Sequence, residues 1–198
     1  MKRLLMSAVI FAALTGAAGA KAECPEADAA MLALPLHNFD QTEQGWRSLD
    51  GEGCERQAAE AIRRYREINA ETLGANAESL LWHEGQLRAA AGETDDAIQL
   101  MLRSREQDSE ATRPYTDATI AFLRQDRDAL IAARQQLVSL PVPEAFARAA
   151  ARYAETYPDH PPLRWPLNLD IVDGLIACFD QPYREAYGCE AAHAGEER

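Results

Sequence analysis

The sequence has 198 residues, of which 47% are hydrophobic and 26% are charged, and its formal net charge at pH 7 is −12. This negative charge argues against nucleic acid as a partner, because affinity for phosphate backbones depends on clustered Lys and Arg. The length and the hydrophobic content predict one compact domain.

The first 22 residues have the three parts of a secretory signal peptide. A basic start is followed by an apolar run from Leu4 to Thr15 and then by a stretch rich in small residues. The run is shorter than the roughly 20 residues that span a bilayer, so we expect no stable membrane anchor. Cleavage after Ala22 is preferred to cleavage after Ala20. Residues 1–22 contain three basic residues and no acid, so the remainder carries a net charge of −15. The prediction is a periplasmic or secreted protein.

Four cysteines follow this segment: Cys24, Cys54, Cys178 and Cys189. An even number of cysteines in an oxidising compartment predicts two disulfides, for which three pairings are possible. We favour the local pairing of Cys24 with Cys54 and of Cys178 with Cys189. The spacing contains no Cys-x-x-Cys, so neither a redox motif nor covalent haem attachment is predicted.

Helix-forming residues dominate the chain, and no alternating apolar-polar stretch is long enough to indicate a strand. The sequence therefore predicts an all-α protein that forms a single domain over residues 23–189, with a flexible tail at 190–198. The predicted helices lie, in chain order, at about 25–34, 43–50, 55–68, 77–91, 95–106, 114–124, 127–139, 143–157 and 168–179, with a last short one from Pro182.

Three columns of residues recur at spacings of 36 and 33 along the chain. The columns are Trp46, Trp82 and Tyr115; Leu49, Gly85 and Ala118; and the pairs Ala61-Ile62, Ala97-Ile98 and Leu130-Ile131. A period near 34 with two helices in each unit is typical of an α-solenoid, in which each helix pair buries its apolar face against its neighbours.

The central unit resembles a tetratricopeptide repeat (TPR). It has Gly85, then Gly92 seven residues later and Ala97 five after that, the small positions where the two antiparallel helices touch and turn in that family. The resemblance covers about residues 43–139, and the flanking units are degenerate. It implies a TPR-like α-solenoid of about three helix pairs, followed by a C-terminal helical cap at about 143–189. The basic and Asn residues with which one subgroup of the family clamps a peptide carboxylate are missing, so a chaperone-tail receptor is not implied.

Trp82 lies off the main apolar stripe of its predicted helix, about 200° from Leu80 at 100° per residue. In the family that the chain resembles, this row of residues faces the concave groove. The predicted ligand-binding residues are Trp46, Arg47, Trp82, His83, Gln86, Tyr115 and Thr119. An alternative stays open, in which Trp46 and Trp82 pack between helices in the core, because a shift of one residue in register decides between the two.

The sequence contains none of the usual catalytic motifs. His83-Glu84 begins like a zinc-protease helix, but the second His that this chemistry needs four residues after the first is replaced by Leu87. We expect no metal and no cofactor. Two function classes remain. The first is a non-enzymatic scaffold whose concave face binds a protein or peptide, basic or neutral because the chain is acidic. The second is an enzyme, or an enzyme-associated inhibitor, with a site in residues 158–187.

Overall fold

A computed structural model describes residues 23–189 of the chain. The predicted signal peptide at 1–22 and the predicted flexible tail at 190–198 lie outside the described residues. Every regular element between residues 23 and 189 is helical, which confirms the all-α prediction. No helix in this range is long and apolar enough to cross a membrane.

Eleven α-helices are described, along with two short 3₁₀ helices. The α-helices are α1 Ala29–Leu32, α2 Leu36–Gln41, α3 Glu55–Ile68, α4 Ala70–Leu73, α5 Ala77–Ala90, α6 Thr94–Arg105, α7 Arg113–Leu123, α8 Arg127–Val138, α9 Glu144–Thr156, α10 Leu169–Ala177 and α11 Tyr183–Tyr187. The 3₁₀ helices are Trp46–Leu49 and Gly74–Asn76. From residue 55 onward the predicted helices agree with the structure to within one or two residues. Before it, the helix predicted at 25–34 is only α1, the one predicted at 43–50 is the short 3₁₀ helix Trp46–Leu49, and α2 lies between them, where no helix is predicted.

The long helices α3, α5, α6, α7 and α8 pack in chain order, each against the next. The α5–α6 pair is close because Gly85 has no side chain; a Cβ at this position would lie 3.0 Å from Met101 Cγ and 3.4 Å from the Ala97 carbonyl oxygen. Gly92 turns the chain between the two helices with φ +79°, a conformation that glycine adopts without strain. The small residues of the central repeat therefore lie where the two helices touch and turn.

The C-terminal helices fold back over this array. Helix α10 packs on α7 and α8, and Arg134 on α8 forms an ion pair with Asp173 on α10. Helix α11 reaches α5, and Arg184 Nη2 lies 2.5 Å from Glu55 Oε1 at the start of α3. Helix α9, by contrast, has no buried residue. Helices α10 and α11 are therefore the part of the predicted C-terminal cap that packs over the helical array.

Two disulfides close segments at the two ends of the described chain. Cys24 is bonded to Cys54, and Cys178 is bonded to Cys189, as the favoured local pairing predicts. Disulfides form and persist in oxidising surroundings, so the two bonds indicate an extracytoplasmic protein.

Candidate functional site

Two neighbouring cavities lie on either side of His83, in the middle of α5. The first, which we call the α5–α7 cavity, has a volume of about 460 Å³, and the second, the α5–α11 cavity, has about 350 Å³. The α5–α7 cavity is lined by Asn76, Glu78, Ser79, Trp82, His83, Ser104, Asp108, Thr112, Tyr115, Thr116 and Asn168. The α5–α11 cavity is lined by Trp46, Arg47, Asp50, His83, Gln86, Leu87, Ala90, Tyr183, Arg184, Tyr187 and Gly188.

Six of the seven predicted binding residues line one cavity or the other. Trp82, His83 and Tyr115 line the α5–α7 cavity, whereas Trp46, Arg47 and Gln86 line the α5–α11 cavity together with His83. The repeat spacing therefore brings most of the predicted set together around α5.

Thr119 is the seventh predicted residue, and it lines neither cavity. It is only 1% exposed, and its hydroxyl donates a hydrogen bond to the Tyr115 carbonyl oxygen inside α7. A hydroxyl that is buried and bonded within its own helix cannot reach a ligand in the concave face. Thr119 is therefore a packing residue of α7, contrary to the expectation that it flanks the groove.

The two tryptophans differ in environment. Trp46 is 5% exposed and belongs to the N-terminal hydrophobic core, so it follows the core alternative while one edge reaches the α5–α11 cavity. Trp82 is half-buried, and its ring lies 5.3 Å from the ring of Tyr115. Tyr115 is itself buried against the C-terminal core. The expected ladder of three open aromatic rings is thus reduced to the exposed part of Trp82.

Asp40 fixes the orientation of the His83 ring. Its Oδ1 lies 2.7 Å from His83 Nδ1 and accepts a hydrogen bond of 3.1 Å from Trp46 Nε1, while Gln41 donates to Oδ2 at 2.7 Å. Burial raises the pKa of Asp40, but the contacts with His83, Trp46 and Gln41 outweigh it and lower the pKa to about 2. Since an ionised carboxylate only accepts hydrogen bonds, His83 donates to Asp40 through Nδ1, and Nε2 is the second polar atom of the ring.

The α5–α7 cavity is acidic. Glu78, one turn before Trp82 on α5, and Asp108, after the end of α6, both line it. Burial raises the pKa of Glu78, and the negative charge of Asp108 raises it further. Thr112 donates a hydrogen bond to Asp108 Oδ1, but Asp108 Oδ2 is buried with no partner among the described residues. The cavity therefore holds two carboxylates that repel each other.

The C-terminal helix forms one wall of the α5–α11 cavity. Tyr183, the first residue of α11, is buried, and its ring lies 5.6 Å from that of Tyr187. Burial raises the pKa of Tyr115 well above its ordinary value, and the neighbouring Tyr183 and Tyr187 add to this rise. On the other wall, the Arg47 guanidinium lies 4.4 Å from the centre of the Trp46 ring, which is a cation–π contact. This cavity is smaller than the first, and more aromatic rings line it.

Two common catalytic arrangements are not formed by the described residues around His83. No hydroxyl or thiol of the described residues bonds to the His83 ring, which the nucleophile of an acyl-transfer site would do. Within residues 23–189 no group of three His, Cys, Asp or Glu side chains is placed to hold a metal ion. The 158–187 region, suggested as an alternative site, contributes Asn168 to one cavity and Tyr183, Arg184 and Tyr187 to the other.

Several residues of the site escape sequence reasoning. Glu78 and Ser79 lie one turn before Trp82 and His83, so an extension of the same helical row by four residues would have found them. Asp40 carries no such signal, because it reaches His83 from a short helix that is 43 residues away in the chain. Tyr183 and Tyr187 reach the site only because the chain returns to α5.

No protein-family model matches the chain, and no curated protein or solved structure matches it either. What the site binds must therefore be inferred from its own side chains.

Proposed function

We propose that this chain is an exported, non-enzymatic scaffold with a TPR-like helical array, and that its concave face holds an extended peptide or a segment of a partner protein. One observation carries the proposal: the α5–α7 and α5–α11 cavities share His83, so a single extended segment laid across α5 contacts both. The volumes of both cavities lie within the range of roughly 300–1,000 Å³ that is typical of ligand pockets.

The chemistry of the two cavities supports a peptide as the ligand. Aromatic rings such as Trp82 give a large contact area at a small entropic cost. Beside them, His83 Nε2 and the Gln86 amide supply the hydrogen-bonding groups that a peptide backbone needs. The contacting set is therefore Arg47, Trp82, His83 and Gln86, with the edges of Trp46 and Tyr115 as the floor.

The signal peptide, the disulfides and the net charge support a location and a class of partner. A signal peptide cleaved after Ala22 directs the chain to the periplasm or out of the cell, and the two disulfides fit that destination. The acidic chain selects a basic or neutral protein partner and repels nucleic acid.

In-cell photocrosslinking tests the proposal. A photoreactive residue in place of Ser79 probes the α5–α7 cavity, and one in place of Gln86 probes the α5–α11 cavity. The matched control is the exposed Gln135 on α8, outside both cavities. We expect one partner, identified by mass spectrometry, to be captured from positions 79 and 86 through neighbouring residues of one segment, and not from position 135. Equal capture from all three positions, or none from the first two, contradicts the proposal.

A further inference from the structure

The side chains that line the α5–α7 cavity include two carboxylates and no Lys or Arg. Glu78 and Asp108 both line it, and no arginine is among its lining residues. The sequence has no lysine after Lys21 that could enter it. Two arginines lie near Asp108 without lining the cavity: Arg105 forms a two-contact ion pair with Asp117 and also interacts with the Asp108 charge, and Arg113 donates to the Asp108 carbonyl oxygen.

One acceptor in this cavity is unsatisfied. Asp108 Oδ2 is buried and has no hydrogen-bond partner among the described residues, although the other oxygen of the same carboxylate accepts from Thr112 at 3.2 Å. This oxygen is closed to solvent, so Asp108 attracts a bound cation through its charge and not through a hydrogen bond at Oδ2. Burial raises the pKa of Glu78 and the charge of Asp108 raises it further, so the two carboxylates are close enough to repel each other.

An aromatic ring completes the site. Trp82 lines the same cavity and is half-buried, with its ring against that of Tyr115. An indole face attracts a cation, most strongly an Arg guanidinium, and also packs against the apolar stem of a long basic side chain. Carboxylates for the charged head and a ring for the stem are the combination that a basic side chain needs.

We propose that the α5–α7 cavity is a recognition pocket for one basic side chain, Arg or Lys, of the bound peptide. This inference rests on the proposed function and specifies its ligand. Glu78 and Asp108 receive the charged head, Trp82 packs against the stem, and His83 lies where the peptide backbone passes toward the α5–α11 cavity.

A direct binding measurement tests the pocket. The probe is the peptide acetyl-Gly-Arg-Gly-amide, and its neutral match replaces Arg with citrulline, which has nearly the same shape without the charge. Binding is followed by NMR through the indole N–H signal of Trp82, assigned with the variant Trp82→Phe. We expect the Arg peptide to bind at least 10-fold more tightly than the citrulline peptide, and added salt to reduce the difference. Equal affinities would overturn the proposal.

Matched variants locate the binding. The double variant Glu78→Gln/Asp108→Asn should weaken binding of the Arg peptide at least 10-fold, whereas Glu155→Gln/Asp159→Asn, which removes two exposed carboxylates elsewhere, should leave it unchanged. If the double variant melts at a lower temperature than the original chain, the single variants Glu78→Gln and Asp108→Asn replace it in the binding measurement. An unchanged affinity in folded Glu78 and Asp108 variants would overturn the proposal. Ethylguanidinium distinguishes a small free cation from the side chain of a peptide as the ligand. If ethylguanidinium binds as tightly as the Arg peptide, a peptide-borne ligand is contradicted.

The absence of lysine after Lys21 permits a second readout. Carbodiimide joins the amine of acetyl-Gly-Lys-Gly-amide to a carboxylate that it contacts, and mass spectrometry maps the added mass. The adduct is expected at Glu78 or Asp108. An adduct spread evenly over exposed carboxylates such as Glu155 would count against the pocket.

The failure of this inference is distinguishable from the failure of the proposed function. If position 79 captures a partner segment that has neither Arg nor Lys at the contact, the pocket is wrong and the scaffold proposal stands. If the Arg peptide binds as described but positions 79 and 86 capture no partner, the pocket is supported and the scaffold proposal is wrong.

Discussion

Asp40 and His83 are 43 residues apart in the chain and are joined by a 2.7 Å contact between Oδ1 and Nδ1. The contact connects α2 to the middle of α5, and it holds the His83 ring between the two cavities. Asp40 is 2% exposed, so its charge is stabilised by these partners and not by water.

The first prediction concerns pH. Because the pKa of Asp40 falls from 3.8 to about 2 in the folded protein, its ionised form stabilises the fold at neutral pH. The contribution is about 2 kcal/mol; it is complete above the unfolded pKa and is lost as the pH falls from about 4 to about 2. The variant Asp40→Asn should therefore be less stable than the original chain by about this amount near pH 7. The difference should shrink on acidification, as urea unfolding at several pH values will measure. Asp159→Asn, at an exposed loop position, is the control. If the difference in unfolding free energy between the original chain and Asp40→Asn stays constant with pH, this role of Asp40 is contradicted.

The second prediction separates the two tryptophans. Trp46→Ala removes a ring that is 5% exposed and should cost about 3 to 5 kcal/mol of stability. Trp82 is half-buried, so Trp82→Ala should cost less stability while it weakens partner capture from position 79 by on the order of 2 kcal/mol. Chemical denaturation and the crosslinking yield measure the two effects. A loss of stability in Trp82→Ala as large as that in Trp46→Ala would place Trp82 in the core and retire its role in binding.

The third prediction concerns the turn before Trp46. A Cβ on Gly45 would lie 1.9 Å from the Phe39 carbonyl oxygen, a distance that requires the backbone to move. Gly45→Ala should therefore destabilise the protein by about 3 kcal/mol, near the upper end for overpacked sites. Gly51→Ala is the matched control, since nothing lies within 4 Å of a Cβ there, and it should change stability by less than about 0.5 kcal/mol. The unfolding free energies of the two variants check this, and similar values would be incompatible with the close approach at Gly45.

The fourth prediction concerns the disulfides. Loop-closure entropy assigns about 3.6 kcal/mol to the Cys24–Cys54 bond and about 2.8 kcal/mol to the Cys178–Cys189 bond, because the first closes the longer loop. Each bond is removed with a pair of Cys→Ser substitutions, and the melting temperature is measured with and without reductant. Both variants should melt at a lower temperature than the original chain, and the Cys24→Ser/Cys54→Ser variant should lose more. If reductant leaves the melting temperature of the original chain unchanged, neither bond contributes as described.

The helices that the sequence predicts well are those whose own residues specify them. Helix α3 begins and ends where the sequence indicates, since its apolar residues recur at helical spacing after a Gly-rich break. Helix α2 is missed because tertiary contacts maintain it. Phe39 stacks on Tyr65 with the rings 3.8 Å apart, and Asp40 is held by His83 on α5. Local propensity carries no information about either partner.

The residues of the site also fall into those that the sequence predicts and those that depend on tertiary contacts. Residues that recur with the repeat, such as Trp82 and Tyr115, can be predicted because one periodic row places them on one face. Their degree of burial cannot be predicted from the sequence, because it depends on which other segments cover that face. Thr119 is predicted beside an open groove, and for Trp46 the sequence leaves groove and core open; packing within the helical array covers both. The long-range return of α11 to α5 leaves no periodic trace in the sequence.

The contact of Arg184 with Asp50, over a separation of 134 residues, makes this array unlike an open stack of repeats. In an open stack each unit meets only its neighbours, so folding can start at any unit and spread. Here α11 rests on α5, and its arginine reaches the start of α3. Contacts between segments so distant in the chain form slowly, since a long loop must close first. The surroundings of α3 and α5 are therefore complete only when the last described helix has docked.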